Sequence, residues 1–308
     1  MTISLIPSTL PAVLSPVLTP FKADSTPDAQ KLLKQCKWLE ANGVGQAIFG
    51  TNSEANSMSA TQKMNTLTAL IEGGLNPGHM MPGTGSTSVE STYRMTAHAV
   101  SHKCAGVLML PPFYYKDITD DGLFAYFSEV IQRMGNSALQ IYIYNIPPVT
   151  KINLSLSLLE RLIKEYPKTV VGMKDSSGDW EYTESVIKLL ANSGFRVYAG
   201  SETFLMRTLR AGGVGCISAT ANVNPKAIAD VATHWRESDA DERQADLDRV
   251  RSIFAKYQMI AGMKTAVAHF SKDPEWLRVR PPLMQLNAAQ QAKLLNELKA
   301  INFSMPGL

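Results

Sequence analysis

The sequence has few cysteines, no long apolar run and no concentration of charge of one sign. Its three cysteines are far apart and form no C-x-x-C pair, so we expect reduced thiols instead of a disulfide framework. No apolar stretch approaches the ~20 residues that a bilayer-spanning helix requires. The first residues lack the basic, apolar and small-residue regions of a secretory leader. We therefore expect a soluble, cytoplasmic protein that has no membrane partner.

The charge and the glycine spacing disfavour two further classes of partner. The formal net charge of +3 is spread along the chain without a Lys/Arg-rich tract, so we expect no binding to nucleic acid. The G-x-G-x-x-G and G-K-[ST] spacings of nucleotide loops are absent, and Gly83-Thr-Gly-Ser86 and Ala211-Gly-Gly-Val214 resemble phosphate loops only weakly. We predict no nicotinamide or nucleotide cofactor.

Short apolar runs alternate with amphipathic segments along most of the chain. The runs are rich in Val, Ile, Leu or Met and end at Gly, Pro, Asn or Ser, which is typical of strands buried on both faces of a parallel sheet. We predict strands over residues 12–18, 45–49, 79–82, 106–110, 140–144, 170–174, 196–199 and 214–218. Helical periodicity predicts helices over residues 28–42, 59–73, 88–102, 120–133, 155–165, 180–191, 202–211 and 225–237.

Eight strand–helix pairs in strict alternation favour an α/β fold of the (β/α)8 TIM-barrel type over residues 1–237. A doubly wound open sheet is the alternative. After residue 237 the pattern predicts only helices, a long one over 239–262 and a final one over 288–301. Residues 238–308 are therefore expected to form a C-terminal helical extension. In such a barrel, catalytic residues lie at the carboxyl ends of the strands.

Lys174 ends the sixth predicted strand, after the apolar run Val170-Val-Gly-Met173. A lysine at such a position needs a specific reason, because burying an ammonium group is costly. A neutral amine in an apolar pocket attacks ketones, and the resulting iminium stabilises a carbanion at the neighbouring carbon. The alternative is a lysine that pairs with Asp175 or Glu54, or that binds a phosphate. Position alone favours neither interpretation.

Tyr144 ends the fifth predicted strand, and Thr51, Asn52 and Ser53 follow the second. A tyrosine that ends a strand usually fills core space, but beside a catalytic lysine its phenol can relay protons. Thr51 is able either to orient that phenol or to cap the next helix. Asn52 and Ser53 offer hydrogen-bond donors to a substrate carboxylate.

The histidines do not predict a metal site. His98 and His102 are four residues apart but lie inside a predicted helix, and His79 opens a predicted strand at the end of the barrel opposite to the catalytic one. His234 and His269 lie beyond the barrel strands. A zinc-dependent aldolase requires histidines that converge at strand ends, so we expect no metal ligand.

Three motifs at the predicted strand ends resemble those of the dihydrodipicolinate synthase/N-acetylneuraminate lyase family of class I aldolases. They are Gly50-Thr-Asn-Ser-Glu54, Tyr144-Asn-Ile-Pro147 and Gly172-Met-Lys-Asp175. The likeness runs from about Val13 to Val223 and continues more weakly into the helical tail, so it covers nearly the whole chain.

The resemblance implies roles for individual residues. Lys174 would form the Schiff base, and Tyr144 would relay protons with the help of Thr51. The family is commonly a homotetramer, a dimer of dimers, in which a tyrosine of one subunit reaches a neighbouring site. That tyrosine would be Tyr114 or Tyr115, and the spacing leaves the choice open.

The chain also departs from the pattern of the dihydrodipicolinate synthases. Val149 stands where those enzymes carry an arginine that binds the carboxylate of the aldehyde substrate, which argues against the lysine-biosynthetic reaction. The stretches Gly172-Met-Lys-Asp-Ser-Ser-Gly-Asp179 and Ala199-Gly-Ser201 most resemble 4-hydroxy-2-oxoglutarate aldolase. Asn52 fits that subgroup, whereas Ser53 does not.

We expect a Schiff-base-forming lyase that acts on a 2-oxo acid, with pyruvate as product or donor. The expected substrate-binding residues are Asn52, Ser53, Ser176, Gly200, Ser201 and Ile217. A 2-keto-3-deoxy sugar acid dehydratase or aldolase, a cyclic-imine deaminase and a dihydrodipicolinate synthase-like enzyme are alternatives with the same iminium chemistry. A catalytically silent binding protein of the same fold is disfavoured, because Lys174 and Tyr144 are both present.

Overall fold

The computed structural model describes residues 9–136, 138–190 and 193–308. The first eight residues, in which no leader was predicted, lie outside the described residues, as does Ala191, the predicted end of one helix. Within the described ranges, no helix is both long and apolar enough to cross a membrane.

Seven parallel strands form one curled sheet in the order β2-β1-β7-β6-β5-β4-β3. They are β1 (Val13–Ser15), β2 (Gly45–Gln46), β3 (Val107–Met109), β4 (Ile141–Asn145), β5 (Val170–Asp175), β6 (Arg196–Ala199) and β7 (Gly215–Ile217). Each lies within a predicted strand or extends it by one residue. The hydrophobic runs were therefore located correctly, although most of the regular strands are shorter than predicted.

The predicted strand over residues 79–82 is not a regular strand. It is reduced to two isolated parallel bridges, Met80 with Gln46 and Gly83 with Leu108. Pro82 lies between the bridges and has no N–H to donate, so a continuous ladder cannot form there. The segment nevertheless links β2 to β3, since the Gly83 amide donates to the Ile48 carbonyl at 2.7 Å. The segment occupies the eighth strand position and closes the sheet, so the predicted (β/α)8 barrel is confirmed.

Helices surround the barrel and alternate along the chain with its strand segments. They are α1 (Ala29–Ala41), α2 (Ala60–Glu72), α3 (Val89–Ser101), α4 (Asp120–Met134), the short α5 (Pro147–Thr150), α6 (Leu156–Glu165), α7 (Trp180–Leu190), α8 (Leu205–Ala211) and α9 (Pro225–His234). Side-chain caps fix several starts: Asp28, Ser59, Ser88 and Ser155 each accept a bond from the third backbone N–H of the helix that follows. The chain before α8 begins as a 3-10 turn, Glu202–Phe204.

The helical extension contains α10 (Ala240–Ala255), α11 (Met259–Ser271) and α12 (Ala288–Ala300). The prediction of one long helix over residues 239–262 was wrong, because Gln258 starts a new helix by accepting a bond from the Ala261 amide at 2.7 Å. The signal was weak because α11 is buried on all sides from Ile260 to Ala268. A helix without a polar face lacks the amphipathic pattern from which helices are recognised.

The barrel interior is filled by inward-facing side chains, chiefly Leu14, Leu108, Tyr142, Tyr198 and Ile217. The two tyrosine rings meet edge to face, with centroids 5.9 Å apart. Gly172 makes room for them, because a Cβ there would approach the Tyr142 ring to 2.6 Å. This layer is the floor beneath the carboxyl ends of the strands.

A fully buried ion pair joins the extension to the barrel. Lys264 on α11 donates to the carboxylate of Glu54, and both side chains have no solvent exposure. Lys264 also donates to the Arg278 carbonyl at 2.6 Å, and the other Glu54 oxygen accepts from the Arg280 amide at 2.8 Å. Burial lowers the pKa of Lys264 to about 8, and the charge of Glu54 opposes that shift. Glu54 is held in a left-handed conformation with φ 57°, a strain that these bonds offset.

We predict that Lys264→Met destabilises the protein by about 3–5 kcal/mol, because the Glu54 carboxylate stays buried without its charged partner. The measurement is the free energy of unfolding from urea denaturation. Glu275→Gln is the matched control, since its pair with Lys31 lies at the surface and should contribute little to stability. The double variant Glu54→Gln/Lys264→Met should lose less than the two single losses added together. A loss for Lys264→Met as small as the control's contradicts the prediction.

Candidate active site

A cavity of about 310 Å³ opens at the carboxyl ends of the strands. Its lining comes from the last residues of β4 and β5, from the segments that follow β2, β4, β5, β6 and β7, and from the helical extension. The lining residues are Thr51, Asn52, Tyr144, Ile146, Lys174, Asp175, Ser176, Gly178, Thr183, Gly200, Ser201, Phe204, Ala219, Arg251 and Met259. This is the end of a (β/α)8 barrel at which catalytic groups are found.

Lys174 and Tyr144 are directly opposite each other on neighbouring parallel strands. The register pairs them across β5 and β4, so their side chains point to the same side of the sheet. The Lys174 amine donates to the Tyr144 hydroxyl at 3.2 Å and lies 4.3 Å from the centroid of its ring. Each residue is only 2% exposed. The β4–β5 register alone therefore brings an amine and a phenol into hydrogen-bond contact.

The two carboxylates that the sequence offered as ion-pair partners of Lys174 are engaged elsewhere. Glu54 pairs with Lys264. Asp175 accepts bonds from Asn145, from the backbone and hydroxyl of Ser177, and from Thr183. The hydrogen bond that the structure gives to Lys174 is the one with the Tyr144 phenol. The geometry therefore favours a reactive amine over a structural ion pair.

The surroundings of Tyr144 favour loss of its proton. Burial would raise its pKa, but the neighbouring Lys174 charge and hydrogen bonds with Thr51, Lys174 and Ser176 outweigh burial, so the pKa lies below its ordinary value of 10.0. The Thr51 and Tyr144 hydroxyls are 3.3 Å apart. Both ionisation states of the phenol thus have partners, as a proton relay requires.

Gly200 and Ser176 form one wall of the cavity at close quarters. A Cβ on Gly200 would lie 2.0 Å from the Ser176 hydroxyl, so a larger residue would displace the serine. The Gly200 amide also donates to the Asp175 carbonyl at 2.6 Å. Glycine at this position therefore lets Ser176 keep its place in the cavity wall beside Lys174.

Seven of the predicted site residues line the cavity: Thr51, Asn52, Tyr144, Lys174, Ser176, Gly200 and Ser201. Ser53 and Ile217 do not. Ser53 is fully buried, and its hydroxyl accepts from the Gly50 amide at 3.2 Å, so it shapes the loop that carries Thr51. Ile217 is fully buried in the inner layer of the barrel, so its side chain belongs to the floor below the cavity.

Tyr114 and Tyr115 follow β3 and lie outside this cavity. They are 72% and 71% exposed, and their rings meet edge to face with centroids 5.3 Å apart. Within one chain neither phenol lines the cavity. Two exposed aromatic rings side by side are suited to burial against another molecule, and the geometry does not choose between them.

Sequence reasoning missed the contributions of the helical extension. Arg251 on α10 and Met259 at the start of α11 both reach the cavity. No local signal marks them, because the position of an appended helix over a barrel depends on tertiary packing. Phe204 and Thr183 were missed for a related reason, since each lies beyond the strand end, in the helical segment that follows.

The two histidines with i, i+4 spacing lie in the outer layer. The Nε2 atoms of His98 and His102 are 3.0 and 3.2 Å from the Thr68 hydroxyl on α2. Burial lowers the pKa of His98, as does the neighbouring His102. These contacts join α3 to α2, and neither ring lines the cavity. Within the described residues, no group of three or more His, Cys, Asp or Glu side chains is arranged to hold a metal ion.

Comparison with known proteins gives a consistent result over nearly the whole chain. The model of the dihydrodipicolinate synthetase family matches residues 9–301. An uncharacterised DapA-like lyase from Chloroflexus aurantiacus is 29% identical over 287 residues, which cover 92% of this chain and 94% of the relative. A 4-hydroxy-tetrahydrodipicolinate synthase from Acidiphilium cryptum is 30% identical over 284 residues, covering 90% and 94%.

Solved structures agree with the sequence comparisons. The crystal structure of dihydrodipicolinate synthase from Agrobacterium tumefaciens superimposes with a TM-score of 0.85 at 30% identity, covering 94% of this chain and 98% of the other. A 2-keto-3-deoxygluconate aldolase variant from Sulfolobus solfataricus has a TM-score of 0.84 at 21% identity, covering 95% and 96%. At that identity the second likeness concerns the fold alone.

We predict that Thr51→Val raises the pKa of Tyr144. The hydrogen bond with Thr51 stabilises the phenolate and lowers this pKa, so its removal shifts the titration toward higher pH. Ultraviolet difference titration of tyrosinate, with Tyr144→Phe subtracted to isolate the one phenol, measures the change. Thr66→Val is the matched control, because that hydroxyl bonds the Gln62 carbonyl at 2.7 Å on α2. An unchanged or lowered Tyr144 pKa in Thr51→Val contradicts the assignment.

Proposed function

We propose that the chain, which belongs to the dihydrodipicolinate synthetase family, cleaves a 2-oxo acid to pyruvate. Members of this family are Schiff-base-forming lyases of the class I aldolase type. The first substrate to test is 4-hydroxy-2-oxoglutarate. The observation that carries the proposal is the buried pair of Lys174 and Tyr144, with 3.2 Å between amine and phenol. An amine nucleophile and an acid/base within hydrogen-bond reach are the two groups that this chemistry needs.

The proposed reaction begins with attack of the neutral Lys174 amine on the keto carbon. Loss of water gives an iminium, with Tyr144 carrying protons between the amine, the departing hydroxyl and the substrate. The Tyr144 phenolate then takes the proton of the 4-hydroxyl, and the bond between carbons 3 and 4 breaks. The electron pair of that bond moves toward the iminium nitrogen, and carbon 4 leaves with its fragment as an aldehyde. The enamine gains at carbon 3 the proton that Tyr144 took, and water releases pyruvate from Lys174. Because the pKa of Tyr144 lies below its ordinary value, the phenolate that accepts the hydroxyl proton is more readily formed.

The carboxylate next to the keto group has donors at hand. We assign its binding to Thr51, Asn52 and Ser176, which line the same cavity as Lys174. Their hydroxyls and amide are neutral donors, and hydrogen bonds from such groups orient a carboxylate without fixing a counter-charge next to the iminium. A held carboxylate keeps the keto carbon close to the amine, which is the positional part of catalysis.

The substrate preference is argued from Val149. This side chain is apolar and 57% exposed, and it stands where dihydrodipicolinate synthases carry their carboxylate-binding arginine. A valine offers no donor to a carboxylate, so the synthase reaction is disfavoured here even though several relatives bear that name. The same iminium also permits loss of a β-hydroxyl, which is the dehydratase alternative, and product analysis separates the two.

We also propose that the active form is a homotetramer, a dimer of dimers, in which Tyr114 or Tyr115 reaches the site of a neighbouring subunit. The support is their exposure at the same end of the barrel as the cavity. A phenol delivered across an interface would complete the proton relay that starts at Tyr144.

The proposal is tested by trapping the Schiff base. With pyruvate and borohydride, the chain should gain one reduced pyruvyl adduct, and peptide mass spectrometry should locate it on Lys174. Lys264 and Lys63 are buried lysines outside the cavity and serve as internal controls that should remain unmodified. Lys174→Arg keeps the charge but should form no adduct. Binding of pyruvate without any adduct on Lys174 would refute the mechanism and favour a silent binding protein.

A panel of 2-oxo acids then identifies the bond that breaks. Release of pyruvate from 4-hydroxy-2-oxoglutarate supports the aldolase, whereas a product that retains all substrate carbons and has lost water supports the dehydratase. The 2-keto-3-deoxy sugar acids belong in the same panel.

Tyr144→Phe should lower kcat by about 10²–10⁴-fold, the usual contribution of a positioned acid/base. The Lys174 amine is still present, so slow formation of the borohydride-stable adduct should persist in this variant. Steady-state kinetics and adduct mass spectrometry give the two readouts. A Tyr144→Phe variant with an undiminished kcat would exclude Tyr144 from proton transfer.

A further inference from the structure

Arg251 brings a positive charge into the cavity from outside the barrel. It lies on α10 (Ala240–Ala255), and its side chain is 22% exposed. The barrel segments contribute two charged lining residues, Lys174 and Asp175. The carboxylate of Asp175 already accepts bonds from Asn145, Ser177 and Thr183. An entering substrate therefore meets Lys174 as the nucleophile and Arg251 as a guanidinium that can pair with an anionic group.

The position of Arg251 is fixed by a buried carboxylate. Its Nη1 atom is 3.3 Å from Glu202 Oε2, and Glu202 is itself 1% exposed and accepts bonds from the Ser218 and Thr220 hydroxyls. Gln244, also on α10, donates to the Glu202 carbonyl at 3.0 Å. The helix and the turn after β6 are thus tied together, and the guanidinium is held at the cavity wall.

Arg251 keeps donors for a ligand. A guanidinium has five N–H donors in a planar fork, and the contact with Glu202 uses one nitrogen at a long 3.3 Å. Two parallel N–H groups of such a fork match the two oxygens of a carboxylate. The bond to Glu202 orients the fork without occupying all of it.

The guanidinium also lies away from two of the three residues assigned to the 2-oxo acid carboxylate, Thr51 and Asn52, whereas the third, Ser176, follows β5. The loop with Thr51 and Asn52 follows β2, whereas Arg251 is tied to the turn after β6, and β1 and β7 separate these strands in the sheet. Lys174 on β5 belongs to neither side. A substrate joined to Lys174 at its keto carbon can therefore present its first carboxylate to one side and its far end to the other.

We infer that Arg251 is a specificity-determining residue that binds a second carboxylate, at the end of the 2-oxo acid remote from the keto group. The inference rests on the proposed function, because it takes Lys174 as the point of attachment. Such a contact favours dicarboxylic substrates, such as 4-hydroxy-2-oxoglutarate, over substrates whose far end is a neutral hydroxyl group, such as 2-keto-3-deoxygluconate. It also supplies a carboxylate-binding arginine from the extension in a chain that has Val149 in the barrel loop.

The test compares kcat and KM for these two substrates in Arg251→Gln, Arg251→Lys and the unsubstituted chain. Loss of a charge-assisted, two-point contact should lower kcat/KM for the dicarboxylate by about 10–100-fold, mainly through KM. The value for the neutral-ended substrate should change much less. Arg251→Lys, which keeps the charge but not the fork, should lie between. Arg249→Gln is the matched control on the same helix, since Arg249 is exposed and pairs with Asp246.

Pyruvate trapping separates the two proposals. Arg251→Gln should still form the borohydride-stable adduct on Lys174, which also shows that the variant is folded. The inference is overturned if Arg251→Gln forms that adduct and its activity falls equally toward both substrates, or does not fall toward either. In both cases Arg251 does not bind the distal carboxylate. If the unsubstituted chain forms no adduct, it is the proposed function that fails.

Discussion

The rest of the structure depends on the buried ion pair between Glu54 and Lys264. Glu54 ends the loop that carries Thr51 and Asn52, and Lys264 belongs to α11 of the helical extension. Two buried charges are tolerated only when their remaining hydrogen-bond donors and acceptors also have partners. Here the Arg278 carbonyl accepts from Lys264, and the Arg280 amide donates to Glu54. This interaction thus joins the loop that carries Thr51 to the extension, which the contacts of Arg251 and Gln244 with Glu202 also hold on the barrel.

The packing of the extension on the barrel in turn decides which of its side chains line the cavity. The barrel alone supplies Lys174, Tyr144 and the hydroxyls around them, which are the groups proposed for the iminium chemistry. The extension adds Arg251 through its tie to Glu202. The groups proposed for the reaction and the arginine proposed for substrate preference therefore lie on different parts of the chain, which is consistent with a fold that hosts many specificities on one catalytic core.

The errors of sequence interpretation have physical causes. Pro82 has no N–H, so the predicted strand over residues 79–82 forms two isolated bridges in place of a regular strand. The start of α11 at Met259 was missed because this helix is buried all round, and periodicity detects only helices with one polar face. The role of Ser53 as a substrate donor stays a prediction, and within one chain its hydroxyl accepts a bond from the Gly50 amide, as side chains of tight loops often do for their own backbone.

What the sequence determined by itself is the alternation that makes a barrel and the residue at each strand end. Strand period and parallel pairing then put Lys174 beside Tyr144, because residues in register on adjacent strands share a face. Only the tertiary structure decided that Glu54 pairs with Lys264, that Lys174 is left to the phenol, and that Arg251 enters the cavity. Those contacts join segments up to 210 residues apart, and no local pattern encodes them, since they arise from how an appended helix packs on a completed barrel.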